Sequence, residues 1–202
     1  MIWDGPNSVN PVVIFDLDGT LALVNKRREK ADAAKDLALE TVIDGYGRNE
    51  GHRERLKRNN KSQIYALLSE KEKKEINSVW WETWENPNNI MLDEDNKPVS
   101  EILHMCSMNN YYIWIFSGRN DKCKAETLDW LKLHNIHYDE LVMRSDLTDR
   151  FTNDAELKER WLDEHILKHD LEVKMVFDDR KQVVDMWRKR GLTCLQVAEG
   201  NF

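Results

Sequence analysis

The chain has 202 residues, enough for one domain with a sizeable core and a sub-domain inserted in it. With 41% hydrophobic and 33% charged residues it reads as a water-soluble globular protein, and no apolar stretch approaches a membrane span. A net charge of −7 argues against a protein wrapped in nucleic acid over a large surface, yet leaves room for a small basic entrance to an active site.

Asp4 and Pro6 interrupt the first residues, so no signal peptide is expected and the cytoplasm is the expected compartment. The run Val12-Val13-Ile14-Phe15 then reads as an interior strand of a parallel sheet. Directly behind it stands Asp16-Leu17-Asp18-Gly19-Thr20, which puts two carboxylates at the end of a buried strand, where open α/β sheets place their chemistry. Burying both is costly unless a cation or catalysis needs them. The bland alternative is an ordinary Asp-Gly turn.

From Lys26 to about Trp84 the chain is rich in Ala, Leu, Glu, Lys and Arg and reads as a helical insert, broken over Thr41 to Gly51. Residues 1–27 and 86–202 are expected to form the core and 28–85 a cap that excludes water and chooses the substrate. In the insert, Arg48, Arg53, Arg55, Lys57, Arg58 and Lys61 outnumber Glu50 and Glu54. They read either as a guide for a polynucleotide's phosphates or as a solvated helical face. Trp80, Trp81 and Trp84 offer aromatic surface, for packing within the cap or for stacking on a base.

Asn86 to Pro98 returns the chain to the core, and Pro98 fits the first turn of a helix running to about Met108. Cys106 is placed on that helix's apolar stripe with Ile102, Leu103 and Met105. A strand over Tyr111 to Phe116 delivers Ser117-Gly118-Arg119 at its end, where backbone amides can form an anion-holding nest. Helix Asp121 to His134, strand Leu141 to Arg144 and helix Asn153 to Leu167, which carries Lys158, follow in turn. Strand Val173 to Phe177 ends in a second acidic pair, Asp178-Asp179-Arg180. Helix Arg180 to Arg190 and strand Leu192 to Val197 complete the pattern. The expected fold is therefore α/β: a Rossmann-like parallel sheet with helices on both faces and an inserted helical cap. Cys106, Cys123 and Cys194 are odd in number and widely spaced, which fits reduced core thiols rather than a zinc site.

In order, spacing and residue type, the motifs at Asp16, Ser117, Lys158 and Asp178 resemble those of the haloacid dehalogenase-like (HAD-like) phosphatase superfamily. The run DDRKQVVDMWRKRGLTCLQVAEGNF looks like the end of the 3′-phosphatase domain of phage polynucleotide kinase/phosphatase, which hints at a phage source. Arg27, eleven positions after Asp16, matches an active-site arginine of that family. The resemblance covers roughly residues 12 to 27 and 98 to 202 and fails in the insert.

That resemblance implies a metal-dependent phosphatase with Mg²⁺ as cofactor. Asp16 would be the nucleophile and a metal ligand, forming an aspartyl-phosphate. Asp18 would be the general acid and base, with its backbone carbonyl on the metal. Asp178 and Asp179 would complete the metal site. Ser117 would hydrogen-bond the phosphoryl oxygens and Lys158 would neutralise charge on phosphate and on Asp16. Gly19, Thr20, Arg27, Gly118 and Arg119 would bind phosphate or orient the substrate.

The expected substrate is a nucleotide phosphomonoester, foremost the 3′-phosphate of a polynucleotide end in a repair setting. The alternatives are a deoxyribonucleotidase-like 5′-monophosphatase of free nucleotides and a non-catalytic phosphate-binding module. No GxxxxGK[ST] loop occurs, so no kinase domain is expected in this chain, and a separate kinase or ligase would perform the other steps.

Overall fold

Strand β1 (Pro11–Phe15) sits at the centre of a five-stranded sheet because its apolar side chains are buried on both faces. The computed structural model describes residues 11–45 and 60–200. Val13 and Phe15 face a core built with Leu103, Ile113, Ile115 and Trp130. Val12 and Ile14 face the opposite core, with Phe116, Trp161, Val176 and Trp187, as the two-residue period of a strand requires. β4 (Tyr112–Asn120), β5 (Glu140–Arg144), β6 (Glu172–Asp178) and β7 (Cys194–Gln196) join β1 in the order β5-β4-β1-β6-β7, and every pairing is parallel.

Among the described residues four α-helices pack on the two faces. α4 (Lys97–Met108), with Pro98 in its first turn, and α5 (Lys124–Leu133) pack on the Phe15 side. α6 (Asp154–Trp161), capped by the Asn153 side chain, and α7 (Lys181–Lys189) pack on the Ile14 side. Between β1 and β4 the chain forms a short ribbon, β2 (Ala22–Leu23) paired antiparallel with β3 (Glu94–Asp95). Asn96 ties the ribbon down, its backbone N–H donating to the Leu21 carbonyl and its side chain to that of Thr20.

Contacts divide the chain into two units, Met1–Val24 with Ile90–Phe202, and Asn25–Asn89. The second unit contains α1 (Asn25–Gly45), α2 (Lys61–Leu67) and α3 (Glu70–Trp84), which share an apolar centre of Leu39, Ile43, Ile64, Leu68 and Ile76. Capping boxes start α2 and α3, at Asn60 with Gln63 and at Ser69 with Glu72. The tryptophans pack on one another: Trp80 stacks on Trp84 at 5.2 Å and meets Trp81 edge-on at 4.8 Å. Arg27 lies over Trp84, 4.1 Å from the ring centroid, and the Trp80 indole donates to Asp32.

Several local readings need correction. Ser117, Gly118 and Arg119 lie inside β4, because pairing with β5 resumes at Asn120 after a bulge that loops Gly118 and Arg119 out of the ladder. The Cys106 stripe consists of Val99, Leu103 and Cys106, while Ile102 and Met105 point to solvent. The helix after Asn153 is α-helical only to Trp161 and continues as a π-turn over Leu162–Ile166 and a 3₁₀ turn over Leu167–His169. The break expected over Thr41 to Gly51 does not start at Thr41, because α1 continues to Gly45; Gly47, Gly51 and the basic residues from Arg48 to Arg58 lie outside the described residues, while Lys61 opens α2 and pairs with Asp36 at 2.5 Å. Among the described residues no helix is long and apolar enough to cross a membrane.

Candidate active site

The carboxyl ends of β1, β4 and β6 converge. At β1 the sheet pairing persists one residue further, with the Asp16 N–H donating to the Phe177 carbonyl, and then the chain turns. Gly19 has φ 88°, a conformation that suits a residue without Cβ, and its N–H closes the turn on the Ala22 carbonyl at 2.8 Å. Leu17 is buried in the core between the two aspartates.

Asp16, Asp178 and Asp179 each offer an oxygen within 4.8 Å of the others, and all three residues are buried. The Lys158 ammonium, delivered by α6, donates to Asp16 Oδ1 at 2.5 Å and to Asp178 Oδ2 at 2.8 Å. The Trp187 indole and the Arg180 N–H also point at Asp178, and the Thr20 hydroxyl reaches Asp179 Oδ1 at 3.4 Å. Burial, then Asp178 and Asp179, hold the Asp16 carboxyl above its ordinary range against the pull of Lys158. Burial and Asp178 push Asp179 up to about 6. Burial works against the charge on Lys158, but Asp16 and Asp178 outweigh it and the ammonium is held charged.

Three buried carboxylates thus face one ammonium, and Asp179 Oδ2 is buried with no hydrogen-bond partner. An all-oxygen donor set with surplus negative charge and an orphaned oxygen fits a hard divalent cation. The backbone at Gly200 packs on that same oxygen: a Cβ there would lie 2.2 Å from Asp179 Oδ2, while the Gly200 N–H donates to the Asp179 carbonyl. Gly200→Ala is therefore expected to displace the Asp179 carboxylate and weaken divalent-cation binding about tenfold. Titration with Mn²⁺ followed by electron paramagnetic resonance measures this directly.

Asp18 occupies a different environment. Arg119 grips its Oδ1 with Nε at 2.8 Å and Nη2 at 2.5 Å. The same Nη2 donates to Asp93 Oδ2 at 2.6 Å, and Nη1 donates to the Thr127 hydroxyl at 3.3 Å. The Trp130 indole holds the Asp93 carbonyl. Burial opposes the Arg119 charge, yet Asp18 and Asp93 outweigh it and the guanidinium stays charged. Arg119, expected to bind phosphate or orient the substrate, is turned inward onto these partners.

Ser117 is fully buried, and its hydroxyl accepts from the Arg119 N–H. Arg144 donates through Nε to the Gly118 carbonyl at 2.9 Å and through Nη2 to Asp154, which also pairs with Arg180. A Cβ at Gly118 would lie 2.9 Å from Asp154 Oδ1, so the glycine permits this approach. Asp16, Thr20, Lys158, Asp178 and Asp179 are thus brought into one cluster, with Asp18, Arg119, Ser117 and Gly118 on the adjoining strand ends. Arg27 lies in the second unit. Sequence reasoning passed over Asp93, Arg144 and Asp154. The signal available for Asp154 was its place one turn before Lys158 on the same helix, whereas Asp93 stands in an aperiodic stretch.

The model of the polynucleotide kinase PNKP phosphatase domain matches residues 82–202. A chain in the structure of the Pnkp1/Rnl/Hen1 RNA repair complex superposes with a TM-score of 0.61 and 27% identity, over 98% of the present chain and 46% of that one. The present chain therefore spans about half the length of that relative. A haloacid dehalogenase-like hydrolase of Streptococcus pneumoniae (TM-score 0.62, 16% identity, 93% of this chain and 84% of that one) shares the fold. So does one of Xanthomonas campestris (TM-score 0.55, 13% identity, 95% and 84%). Matched by that family model over more than half its length and folded as these hydrolases are, the chain belongs to the polynucleotide kinase PNKP phosphatase-domain family of HAD-like hydrolases and is a phosphatase.

Proposed function

We propose that the chain is a Mg²⁺-dependent phosphomonoesterase that works through an aspartyl-phosphate on Asp16 and removes 3′-phosphates from polynucleotide ends. The observation that carries the chemistry is the unlike setting of two carboxylates two positions apart. Asp16 sits on Lys158 among buried acids, and Asp18 is clamped by an arginine. Asp16, grouped with Asp178 and Asp179 where a cation would sit, suits the nucleophile, and Asp18, outside that group, suits the proton carrier.

Asp16, Asp178 and Asp179 would hold the metal, which when bound supplies positive charge against the anionic phosphoryl group. An oxygen of Asp16 attacks phosphorus as the bond to the leaving sugar oxygen breaks, and Asp18 gives that oxygen its proton. Asp18 then takes a proton from water, whose oxygen attacks phosphorus and frees inorganic phosphate from Asp16. Lys158 pulls Asp16 toward its ionised form and offsets phosphoryl charge, and Ser117 with the Gly118 amide holds the non-bridging oxygens.

The family match and the likeness to a chain of an RNA repair complex support a polynucleotide 3′ end as substrate, with separate proteins supplying the other end-healing and sealing steps. The test is phosphate release with Mg²⁺ from 3′- and 5′-phosphorylated DNA and RNA oligonucleotides and from free 3′- and 5′-mononucleotides. Selective release from 3′-phosphorylated oligonucleotides is expected. Preference for free 5′-mononucleotides would replace the end-healing reading with a nucleotidase.

A further inference from the structure

The loop between β5 and α6 leaves two apolar side chains in water. Leu147 and Phe151 are each 94% exposed, more than any other large hydrophobic residue described. The loop is held in place all the same. Arg144 Nη1 donates to the carbonyls of Asp149 at 2.7 Å and Thr152 at 2.6 Å, while its Nε holds the Gly118 carbonyl. The Asn120 side chain donates to Asp146 at 2.8 Å, and the Asp146 N–H donates to Asp121. One arginine thus ties this loop to the Ser117-Gly118 bulge, so Phe151 stands on a segment pinned to the strand end that carries Ser117.

The surrounding charge is arranged for a polyanion. Both acids of the loop are occupied, Asp146 by Lys122 at 2.8 Å and Asp149 by Arg160 at 2.5 Å. Arg150 lies half exposed, 3.9 Å from Asp146 Oδ1, with its guanidinium 5.8 Å over the Phe151 ring. An exposed aromatic ring next to an arginine is the chemistry that stacks a base and meets its phosphodiester. Two side chains fall far short of the roughly 1,000 Å² that a stable protein interface buries, but they match one or two nucleobases.

We propose that Phe151 is the stacking platform for a nucleobase at or beside the phosphorylated end, with Leu147 extending the apolar rim and Arg150 facing the adjoining phosphodiester. The inference rests on the polynucleotide reading above. Stacking tolerates any base, which suits an enzyme that must accept ends of any sequence.

The test compares a 3′-phosphorylated oligonucleotide with the same strand made abasic at its last two positions. The wild-type enzyme is expected to show a lower KM for the base-bearing strand. Phe151→Ala is expected to shrink that KM advantage about tenfold, and Phe151→Trp to restore it, with kcat changing much less. Equal KM ratios in wild type and Phe151→Ala would overturn the platform. So would concentration-dependent self-association in sedimentation that Phe151→Ala abolishes, because the patch would then belong to a second copy. If the wild-type enzyme fails to hydrolyse the 3′-phosphorylated strand at all, the polynucleotide reading itself falls, which is a separate result.

Discussion

Asp16→Asn is expected to lower phosphate release by at least about a thousandfold, because an amide at the end of β1 cannot serve as the attacking oxygen. The fold should survive the change. The residue is already crowded by Asp178 and Asp179, and Lys158 keeps Asp178 as a partner when the Asp16 charge is gone. The thermal midpoint should therefore stay near that of wild type while turnover disappears. A second readout is covalent capture: acid quenching of the wild-type enzyme with labelled substrate should leave label on the protein, and the variant should carry none. Label retained by Asp16→Asn would move the nucleophile to another residue.

Arg119→Met should produce the largest loss of stability. It takes a guanidinium away from two carboxylates, one of them, Asp93, with a side chain wholly inaccessible to solvent. Breaking a buried ion pair by removing one member costs about 3–5 kcal/mol, which for a chain of this length lowers the thermal midpoint by roughly 10 °C. Arg119→Lys should recover little. An ammonium cannot reproduce the fork in which Nε and Nη2 meet Asp18, Nη2 also meets Asp93, and Nη1 meets Thr127. Urea unfolding measures the loss. A change below about 1 kcal/mol would mean that water screens these pairings and that Arg119 is free to serve the substrate.

The parallel sheet and its chemistry-bearing ends were legible because interior strands leave a strong mark: four apolar residues at Val12 to Phe15 followed at once by acids, and the same pattern at Val173 to Asp179. Lys158 was legible by its spacing from Asp178, which the ion pair between them explains. The inward turn of Arg119 was not. Its partner Asp93 follows a 3₁₀ segment of Pro and Asn where no period betrays burial. The ribbon of β2 and β3 was invisible for a related reason, since two residues are too few to show alternation. Exposed side chains such as Leu147 and Phe151 look like core residues in a sequence, and only the solvent around them reveals otherwise.

The two-residue ribbon also bears on descent. Leu23 is paired with Glu94, so the chain leaves and re-enters the core through one hydrogen-bonded gate whatever lies between. Closing such a gate around a doubled length of polypeptide costs only about 0.6 kcal/mol. A lineage can therefore lengthen, shorten or exchange the Asn25–Asn89 cassette while inheriting the sheet untouched.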